Sequence, residues 1–299
     1  MGFWRRSRRS TSRIMAECLI SDSVETVLGT RLVRARPMSG GCIGEVYKAE
    51  LSDGSRAVAK VERAGESHLE REAYMLRYLG EKSDLPVPEV YHFSETLLLM
   101  EFVEGSGDLS GAQEHAAELL ADLHNITAQS YGHERDTLVG SLSQPNSWTG
   151  SWIEFFRDQR LLYLAGIAYE AGRLPADLRD RVEELAVKLD ELLEEPKHPS
   201  LIHGDVWSGN VLARGDRIAA FLDPAIYHAD PEIELAFIAL FNTFGERFFR
   251  RYGELREIRP GFFEERRHLY NLYPLLVHVY FFGGHYVGSM EATLGRLGF

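Results

Sequence analysis

The segment HGDVWSGNVL at residues 203–212, together with FLDPA at residues 221–225, decides how this chain is interpreted. Its polar residues Asp205, Asn210 and Asp223 fall at the ends of short apolar runs that predict strands. An asparagine five residues beyond an aspartate spans a tight loop and offers an amide oxygen to a hard cation without adding a negative charge. The spacing therefore predicts a loop that presents one carboxylate and two further oxygen ligands.

These three groups suit phosphoryl transfer. That reaction needs a carboxylate that orients and deprotonates the attacking hydroxyl, and oxygen ligands that hold Mg²⁺ against the β and γ phosphates of ATP. We interpret Asp205 as the catalytic base, and Asn210 and Asp223 as the magnesium ligands. Each aspartate alone has a structural alternative, because Asp caps turns and an Asp before Pro often marks a loop.

The N-terminal part of the chain predicts a small sheet with one helix. Residues 40–61 predict a hairpin that a glycine-rich turn opens, with Asp53-Gly54 as the turn between its strands. Residues 66–80 follow with one apolar helical stripe and a terminal glycine. Two further apolar segments, within residues 85–105, are rich in strand formers and complete the sheet.

This part also carries residues suited to binding a nucleotide. The backbone amides of Gly40, Gly41 and Gly44 could approach phosphate, although their spacing differs from GxGxxG and is weak alone. Lys60 on the second strand could pair with the α and β phosphates while Glu72 on the following helix holds it. The alternative for Lys60 and Glu72 is an ordinary surface ion pair.

A short segment after the last predicted strand is suited to the adenine ring. Glu101, Phe102 and Val103 precede the helical region, so their exposed backbone groups could read the adenine edge through hydrogen bonds. The ordered combination of glycine loop, strand lysine, helix glutamate, HGDxxxxN and a later aspartate favours catalysis over the separate structural alternatives.

The sequence as a whole predicts an α+β chain of two lobes. We predict a basic and disordered extension at residues 1–16, a nucleotide-binding lobe with a small antiparallel sheet at 17–105, and a mainly helical lobe at 106–299. The stretch Thr127–Gly150 is rich in Ser, Thr and Gly and predicts a long loop, which we interpret as facing the substrate.

Composition excludes several classes of protein. A net charge of −12 argues against a nucleic-acid partner. Cys18 and Cys42 form no disulfide framework and favour a reducing compartment such as the cytoplasm. No apolar run is long enough to cross a membrane. The acid-free start MGFWRRSRRSTSR leaves organelle targeting as a minor alternative, and Met15 could be the true first residue.

Four segments resemble one known family, the fructosamine kinases or ketosamine-3-kinases, which are similar to aminoglycoside and choline kinases within the protein-kinase-like fold. The resemblance covers the chain from about Gly40 to the C-terminal helices. Its segments are GGCIGE at 40–45, QPNSWTGSWIEFFRDQRL at 144–161, HGDVWSGN at 203–210 and DPAIYHADPEIELA at 223–236.

The resemblance implies a reaction. The γ-phosphoryl group of ATP would be transferred, with Mg²⁺, to the C3 hydroxyl of ketosamines, either small molecules or glycated proteins, and the product would decompose to release the amine. Trp207 could stack on the sugar, or could be a core residue. Asp230, Glu232 and Glu234 could favour a protonated secondary amine, or could be a solvated helix start. Ala229-Asp230 departs from the Gly-His of many relatives.

Two alternatives and one regulatory hypothesis stay open. The chain could be an aminoglycoside or choline-like kinase, or a catalytically silent scaffold. The presence together of all the groups that phosphoryl transfer needs argues against a catalytically silent scaffold. Cys42 in the glycine-rich turn could be sensitive to oxidation, because nearby cationic and amide groups lower a thiol pKa, or could be a small apolar filler.

Overall fold

The N-terminal part of the molecule is an antiparallel sheet with two helices packed on it. The computed structural model describes residues 3–38, 44–65 and 68–299. The strands are β1 (Leu32–Pro37), β2 (Glu45–Leu51), β3 (Arg56–Val61), β4 (Val90–Phe93) and β5 (Leu97–Glu101), and the helices are α1 (Phe3–Leu28) and α2 (His68–Lys82). Neighbouring strands follow the order β1-β2-β3-β5-β4.

The β2–β3 hairpin forms as the sequence predicts. Side chains of β2 alternate between buried and partly exposed, which matches a strand with one face on a core. At the turn Gly54 has φ of +86°, a region that favours glycine, and Ser55 donates its backbone N–H to Asp53 Oδ1 at 2.9 Å. The hairpin brings Lys60 to the centre of the sheet.

Helix α2 buries the predicted apolar stripe together with one carboxylate. Leu69, Ala73, Leu76 and Leu79 are buried, and so is Glu72. Positions three and four apart lie on one face of a helix, so Glu72 shares the face that packs toward the sheet. The helix thereby directs a charged group into the protein.

Helix α1 occupies part of the N-terminal extension. The prediction of a disordered extension at residues 1–16 stays a prediction, and residues 1 and 2 lie outside the described residues, while α1 begins at Phe3. Ala16, Ile20 and Val24 are buried at a spacing of four and pack into the cluster behind β1, β2 and β5. This packed stripe stabilises the helix, and once a helix is nucleated, each further residue adds a hydrogen bond at low cost.

The C-terminal part is mainly helical, and the predicted boundary after Gly105 falls in the connection between β5 and α3. Its helices are α3 (Gln113–His124), α4 (Trp152–Phe156), α5 (Tyr163–Glu170), α6 (Ala176–Val187), α7 (Leu189–Leu192), α8 (Glu232–Leu240), α9 (Glu246–Leu255), α10 (Arg267–Phe282) and α11 (His285–Arg296), with π-helical turns at Arg157–Leu162 and Phe262–Arg266. Its strands are β6 (Thr137–Val139), β7 (Leu142–Gln144), β8 (Ser200–Ile202), β9 (Val211–Arg214), β10 (Arg217–Phe221) and β11 (Tyr227–Ala229). They form the antiparallel pairs β6–β7, β8–β11 and β9–β10.

The stretch Thr127–Gly150, predicted as a loop, contains the β6–β7 hairpin. The side chains of Thr137, Gln144 and Asn146 are buried and bond to one another, which gives this polar stretch an interior of its own. The local composition does not predict these hydrogen bonds between buried side chains.

Among the helices that the structure describes, none is both long enough and apolar enough to cross a bilayer.

Candidate active site

The predicted catalytic loop lies between β8 and β9 and has a defined internal geometry. Asn210 Nδ2 donates to the Asp205 carboxylate at 2.8 Å and to the Asp205 backbone oxygen at 3.1 Å. Both amide protons of Asn210 are thereby used, so its amide oxygen is the atom left for a cation. The five-residue spacing thus closes a loop in which the two side chains touch.

A glycine lets this loop approach the segment that carries Asp223. Gly204 has φ of +86°, and a Cβ added there would lie 2.2 Å from the backbone oxygen of Ala225. Any larger residue would push the two segments apart. Leu222 donates its N–H to Asn210 O at 2.8 Å, which further joins the catalytic loop to the DPA segment.

Lys60 connects the sheet, α2 and the DPA segment. Its Nζ lies 2.6 Å from Glu72 Oε1 and 2.5 Å from Asp223 Oδ1, and its side chain is only 5% exposed. Burial disfavours the charged form of Lys60, but the two carboxylates outweigh burial and raise the pKa of Lys60 above its usual value. The lysine is therefore a fixed positive charge.

Burial shifts the pKa values of two carboxyl groups in this site. Burial raises the pKa of Glu72, although Lys60 opposes the shift. Burial and the nearby charge of Asp223 raise the pKa of Asp205 to about 8, with Asn210 opposing. Glu72 and Asp223 thus share Lys60, while Asp205 bonds to Asn210, and the cleft has more acidic groups than the lysine alone can pair.

Asp223 also has an unusual backbone. Its φ is +50°, in the left-handed region that non-glycine residues seldom adopt. Asp tolerates this conformation better than most residues, and strained backbone is often found at functional sites. The conformation turns the chain sharply after β10.

A cleft of about 450 Å³ lies over these groups. Of the predicted site residues in the described part of the chain, the lining set contains Lys60, Glu72, Glu101, Phe102, Val103, Asp205, Trp207, Asn210 and Asp223. Val58, Met100 and Leu212 also line the cleft and give it apolar side chains that a ring could contact. The structure therefore brings together the proposed adenine, phosphate and metal groups.

The segment predicted to read adenine is partly committed to the sheet. The Glu101 N–H donates to Glu89 O at 2.8 Å, so this donor is used within the lobe. The Phe102 ring has Lys48 Nζ 4.3 Å and the Arg56 guanidinium 4.7 Å from its centroid, which holds the ring in place. Recognition of adenine by Phe102 and Val103 stays a prediction.

The glycine-rich turn is only partly described. Gly40, Gly41 and Cys42 lie outside the described residues, so the predictions for phosphate binding and oxidation there stay predictions. Gly44 has φ of +67°, and a Cβ there would lie 2.6 Å from Val61 O. Gly44 is therefore required by the close approach of β2 to β3, whatever else it does.

Trp207 is placed where an acceptor could meet it. The indole is 41% exposed, and an added Cβ on Gly209 would lie 2.3 Å from its ring. The ring thus rests on the glycine backbone inside the catalytic loop, beside Asp205. This exposure argues against a core-packing role, and stacking on a sugar stays a prediction.

Asp230 does not face the cleft, contrary to the prediction that it contacts the substrate. It is 1% exposed and accepts hydrogen bonds from Arg259 and from Tyr270 Oη, the latter at 2.7 Å. Glu232 accepts from Arg259 and Arg266 in the same cluster. Distant arginines turn this acidic run into a buried ion cluster, which explains why its position at a helix start was misleading.

Glu234 is also buried rather than in contact with the cleft. Its Oε1 accepts from the Gly204 N–H at 2.5 Å, and its Oε2 lies 2.9 Å from His124 Nε2. Although burial disfavours charge, the contact with His124 holds the pKa of Glu234 below its usual value. Glu234 therefore fixes the backbone one residue before Asp205, a positioning role that the sequence did not reveal.

Comparison with known proteins gives a consistent result. The sequence profile that matches residues 17–297 is described as fructosamine kinase. A probable ketoamine kinase of Synechocystis is 33% identical over 276 residues, covering 88% of this chain and 90% of the relative. A chloroplastic protein-ribulosamine 3-kinase of Oryza sativa subsp. indica is 33% identical over 274 residues, covering 89% and 79%.

Solved structures agree with this result. A structure described as a "putative fructosamine-3-kinase" from Thermobifida fusca superposes with a TM-score of 0.84 at 30% identity, covering 93% of this chain and 98% of that one. An ADP-bound aminoglycoside phosphotransferase, at 17% identity and a TM-score of 0.61, shares the fold alone. The predicted α+β, bilobal, protein-kinase-like fold is confirmed.

Proposed function

Because the chain belongs to the fructosamine kinase family and is a ketosamine kinase, we propose that it transfers the γ-phosphoryl group of ATP to the C3 hydroxyl of a ketosamine. One observation carries the proposal. Lys60, held by Glu72 and Asp223, lies in the same cleft as the bonded pair of Asp205 and Asn210. The relative from rice is named a 3-kinase, which supports C3 as the position of the acceptor.

The residues of the cleft divide the reaction among them. Asp205 accepts the proton of the C3 hydroxyl, whose oxygen forms a bond to the γ phosphorus while the bond to the β-phosphate oxygen breaks and ADP leaves. Lys60 contacts the α and β phosphates, and Glu72 holds Lys60 in place. Trp207 stacks on the sugar and orients the hydroxyl toward Asp205.

Asn210 and Asp223 fit a magnesium ion. The Asn210 amide oxygen is left free by its two donor bonds, and Asp223 gives Oδ1 to Lys60 while Oδ2 remains. Among the residues described, no three His, Cys, Asp or Glu side chains cluster around a point. That suits Mg²⁺, which is usually held by one or two carboxylates together with substrate phosphates. When bound, the ion would neutralise charge on the transferred phosphoryl group.

The substrates would be small ketosamines or glycated proteins. The relatives named ketoamine kinase and protein-ribulosamine 3-kinase support both classes. We further propose a cytoplasmic location from the low cysteine content, while chloroplastic relatives keep organelle targeting of the basic N-terminus as the alternative. Decomposition of the 3-phosphate would release the amine and reverse glycation.

The test is consumption of Mg-ATP by the purified protein with ketosamines made from lysine and glucose, ribose or allose. Choline and aminoglycosides serve as competing acceptors, and ³¹P–¹H NMR locates the phosphate. We expect turnover with ketosamines and a phosphate on C3. Turnover with choline or aminoglycosides only, or phosphate on another carbon, would overturn the proposal. Asp205→Asn is the control for contaminating kinases.

A further inference from the structure

A segment of the C-terminal lobe contacts the helix that carries Glu72. Residues 131–146, here called the strap, contain the β6–β7 hairpin and pack against α2. Arg71, the neighbour of Glu72 in sequence, donates from Nη1 to Ser143 Oγ at 3.1 Å. The strap therefore reaches across from one lobe to the helix of the other.

A second contact lies three residues, or nearly one turn, further along α2. Tyr74 donates its hydroxyl to Glu134 Oε1 at 2.7 Å, and His133 Nε2 lies 2.7 Å from the same hydroxyl oxygen. The Arg135 guanidinium sits 4.1 Å from the centroid of the Tyr74 ring. Tyr74 is thus held by three consecutive residues of the strap, so α2 is fixed on both sides of Glu72.

The strap is joined at its other side to the segment that carries Asp223. Gln144 Nε2 donates to Ala225 O at 3.1 Å, and Thr137 Oγ1 donates to Ile226 O at 3.1 Å. Ala225 and Ile226 are the second and third residues after Asp223. The strap therefore connects the two segments whose carboxylates hold Lys60.

The interior of the strap contains a buried polar network in which the side chains of Thr137, Gln144 and Asn146 are all hydrogen-bonded. Thr137 Oγ1 accepts from Gln144 Nε2 at 2.8 Å and from Asn146 Nδ2 at 2.7 Å. Arg160 donates to Asn146 Oδ1 at 2.7 Å, and Tyr273 donates to Gln144 Oε1. Hydrogen bonds between buried side chains such as these resist opening, because breaking one of them leaves a buried polar group unpaired. The strap can thus hold a fixed distance.

We propose that the strap sets the separation between Glu72 and Asp223, and that Arg71 and Tyr74 are positioning residues for phosphoryl transfer. Lys60 needs both carboxylates at once, and they come from different lobes. The strap supplies a link between those lobes that does not depend on the lysine. The inference rests on the proposed function, because positioning of Lys60 matters only if Lys60 binds the phosphates of ATP.

The first comparison is between two variants of α2. Arg71→Met/Tyr74→Phe removes the polar contacts with the strap but keeps the side-chain volume. Arg77→Met is the matched control, because Arg77 lies on the same helix and bonds to Val90 O and the Phe93 ring within its own lobe. We expect kcat to fall about tenfold in the double variant, from the loss of two hydrogen-bonded contacts, and to stay unchanged in the control.

The decisive experiment repeats the double substitution in a Glu72→Gln background. If Arg71 and Tyr74 act through Glu72, they have little left to position there, and kcat falls less than about twofold further. An equal tenfold fall in both backgrounds would show a merely structural role and overturn the inference. No fall in the wild-type background, with folding intact by circular dichroism, would also overturn it.

The same four proteins, with and without the double substitution and with and without Glu72→Gln, are also compared by their affinity for Mg-ATP, measured by calorimetry. We expect the affinity to weaken in Arg71→Met/Tyr74→Phe and not to weaken further when Glu72 is already changed. If the wild-type protein binds Mg-ATP but phosphorylates no ketosamine, the proposed function fails. The affinity cycle then still decides the inference about the strap, with equal weakening in both backgrounds as the contradicting result.

Discussion

Two regions of the molecule bury carboxylates beside cations, and they differ in their balance of charge. In the cleft, Glu72 and Asp223 share Lys60, and Asp205 lies in the same cleft bonded to Asn210. Beside α8, Asp230 and Glu232 meet the guanidinium groups of Arg259 and Arg266. The first region has three acidic side chains beside one lysine, whereas in the second two carboxylates meet two guanidinium groups.

The balance explains the different chemistry of the two regions. Buried charge is costly unless it is paired and hydrogen-bonded, so the cluster of Asp230 and Glu232 is complete without any ligand. The cleft keeps an unpaired carboxylate oxygen on Asp223 and an amide oxygen on Asn210, where a divalent cation could supply the missing positive charge. A deficit of cations therefore marks the functional region, and acidity alone does not.

The largest expected effect is on the base of the cleft. Asp205→Asn keeps the shape of the side chain but removes the proton acceptor, so kcat should fall by about 10²–10⁴-fold. The measurement is the steady-state rate with a ketosamine and Mg-ATP, with the melting temperature as a control for folding. Turnover close to that of the wild type would contradict the role of Asp205.

A matched pair of substitutions separates the two regions directly. Asp223→Asn should lower kcat by less than Asp205→Asn does, and should abolish the rise in melting temperature that Mg-ATP gives by binding the native state. Asp230→Asn should instead lower the free energy of unfolding by about 2 kcal/mol, through weaker hydrogen bonds to Arg259 and Tyr270, with kcat per folded molecule retained. Thermal shift with and without Mg-ATP, beside urea unfolding, checks both results. Loss of stability without loss of Mg-ATP binding in Asp223→Asn, with the opposite result in Asp230→Asn, would contradict the distinction between the two regions.

Removal of one cation tests the balanced cluster further. Arg259→Met leaves Asp230 buried without its guanidinium, and we expect the free energy of unfolding to fall by about 3 kcal/mol. Arg251→Met is the matched control, because its partners Glu118 and Glu254 are exposed and such pairs contribute little. Urea unfolding midpoints give the answer, and equal midpoints for the two variants would contradict the structural role of the cluster.

The smallest expected effect concerns His133, a buried imidazole that is neutral at neutral pH. Burial and the neighbouring His228 lower the pKa of His133 to about 4, below the usual 6.5. Between pH 6.5 and 4 the unfolded chain therefore binds a proton that the native state refuses, so stability falls as the pH falls. His133→Gln should reduce the loss of unfolding free energy between pH 7 and pH 5 by about 1–2 kcal/mol. Parallel urea curves at both pH values test this, and an unchanged pH dependence would count against it.

The reactive groups of the cleft were predictable because their relations are short in sequence or repeated by secondary structure. Asp205 and Asn210 are five residues apart and bond directly. Lys60 lies on the strand before α2, and Glu72 lies on the buried stripe of that helix. Strand and helix periodicity therefore predicts which face of each element these side chains occupy.

The acidic run after Asp223 shows why other residues were not predictable. Asp230 and Glu234 sit at a helix start, where acidic residues are common on the surface. Their partners, Arg259 and His124, lie 29 and 110 residues away in the chain. The local sequence pattern does not indicate that these distant residues contact the carboxylates. The sequence therefore could not distinguish a buried carboxylate from one that contacts a substrate.

The sequence by itself determined the two-lobed fold, the loop from Asp205 to Asn210 and the pairing of Lys60 with Glu72, because hydrophobic periodicity and short spacings set local geometry directly. Only the tertiary structure decided which carboxylates are open to a ligand and which are neutralised within the protein. It also decided that residues 131–146 form the strap, through bonds such as Gln144 to Ala225. The physical reason is that charge balance and polar satisfaction depend on neighbours in space, and those neighbours come from distant parts of the chain.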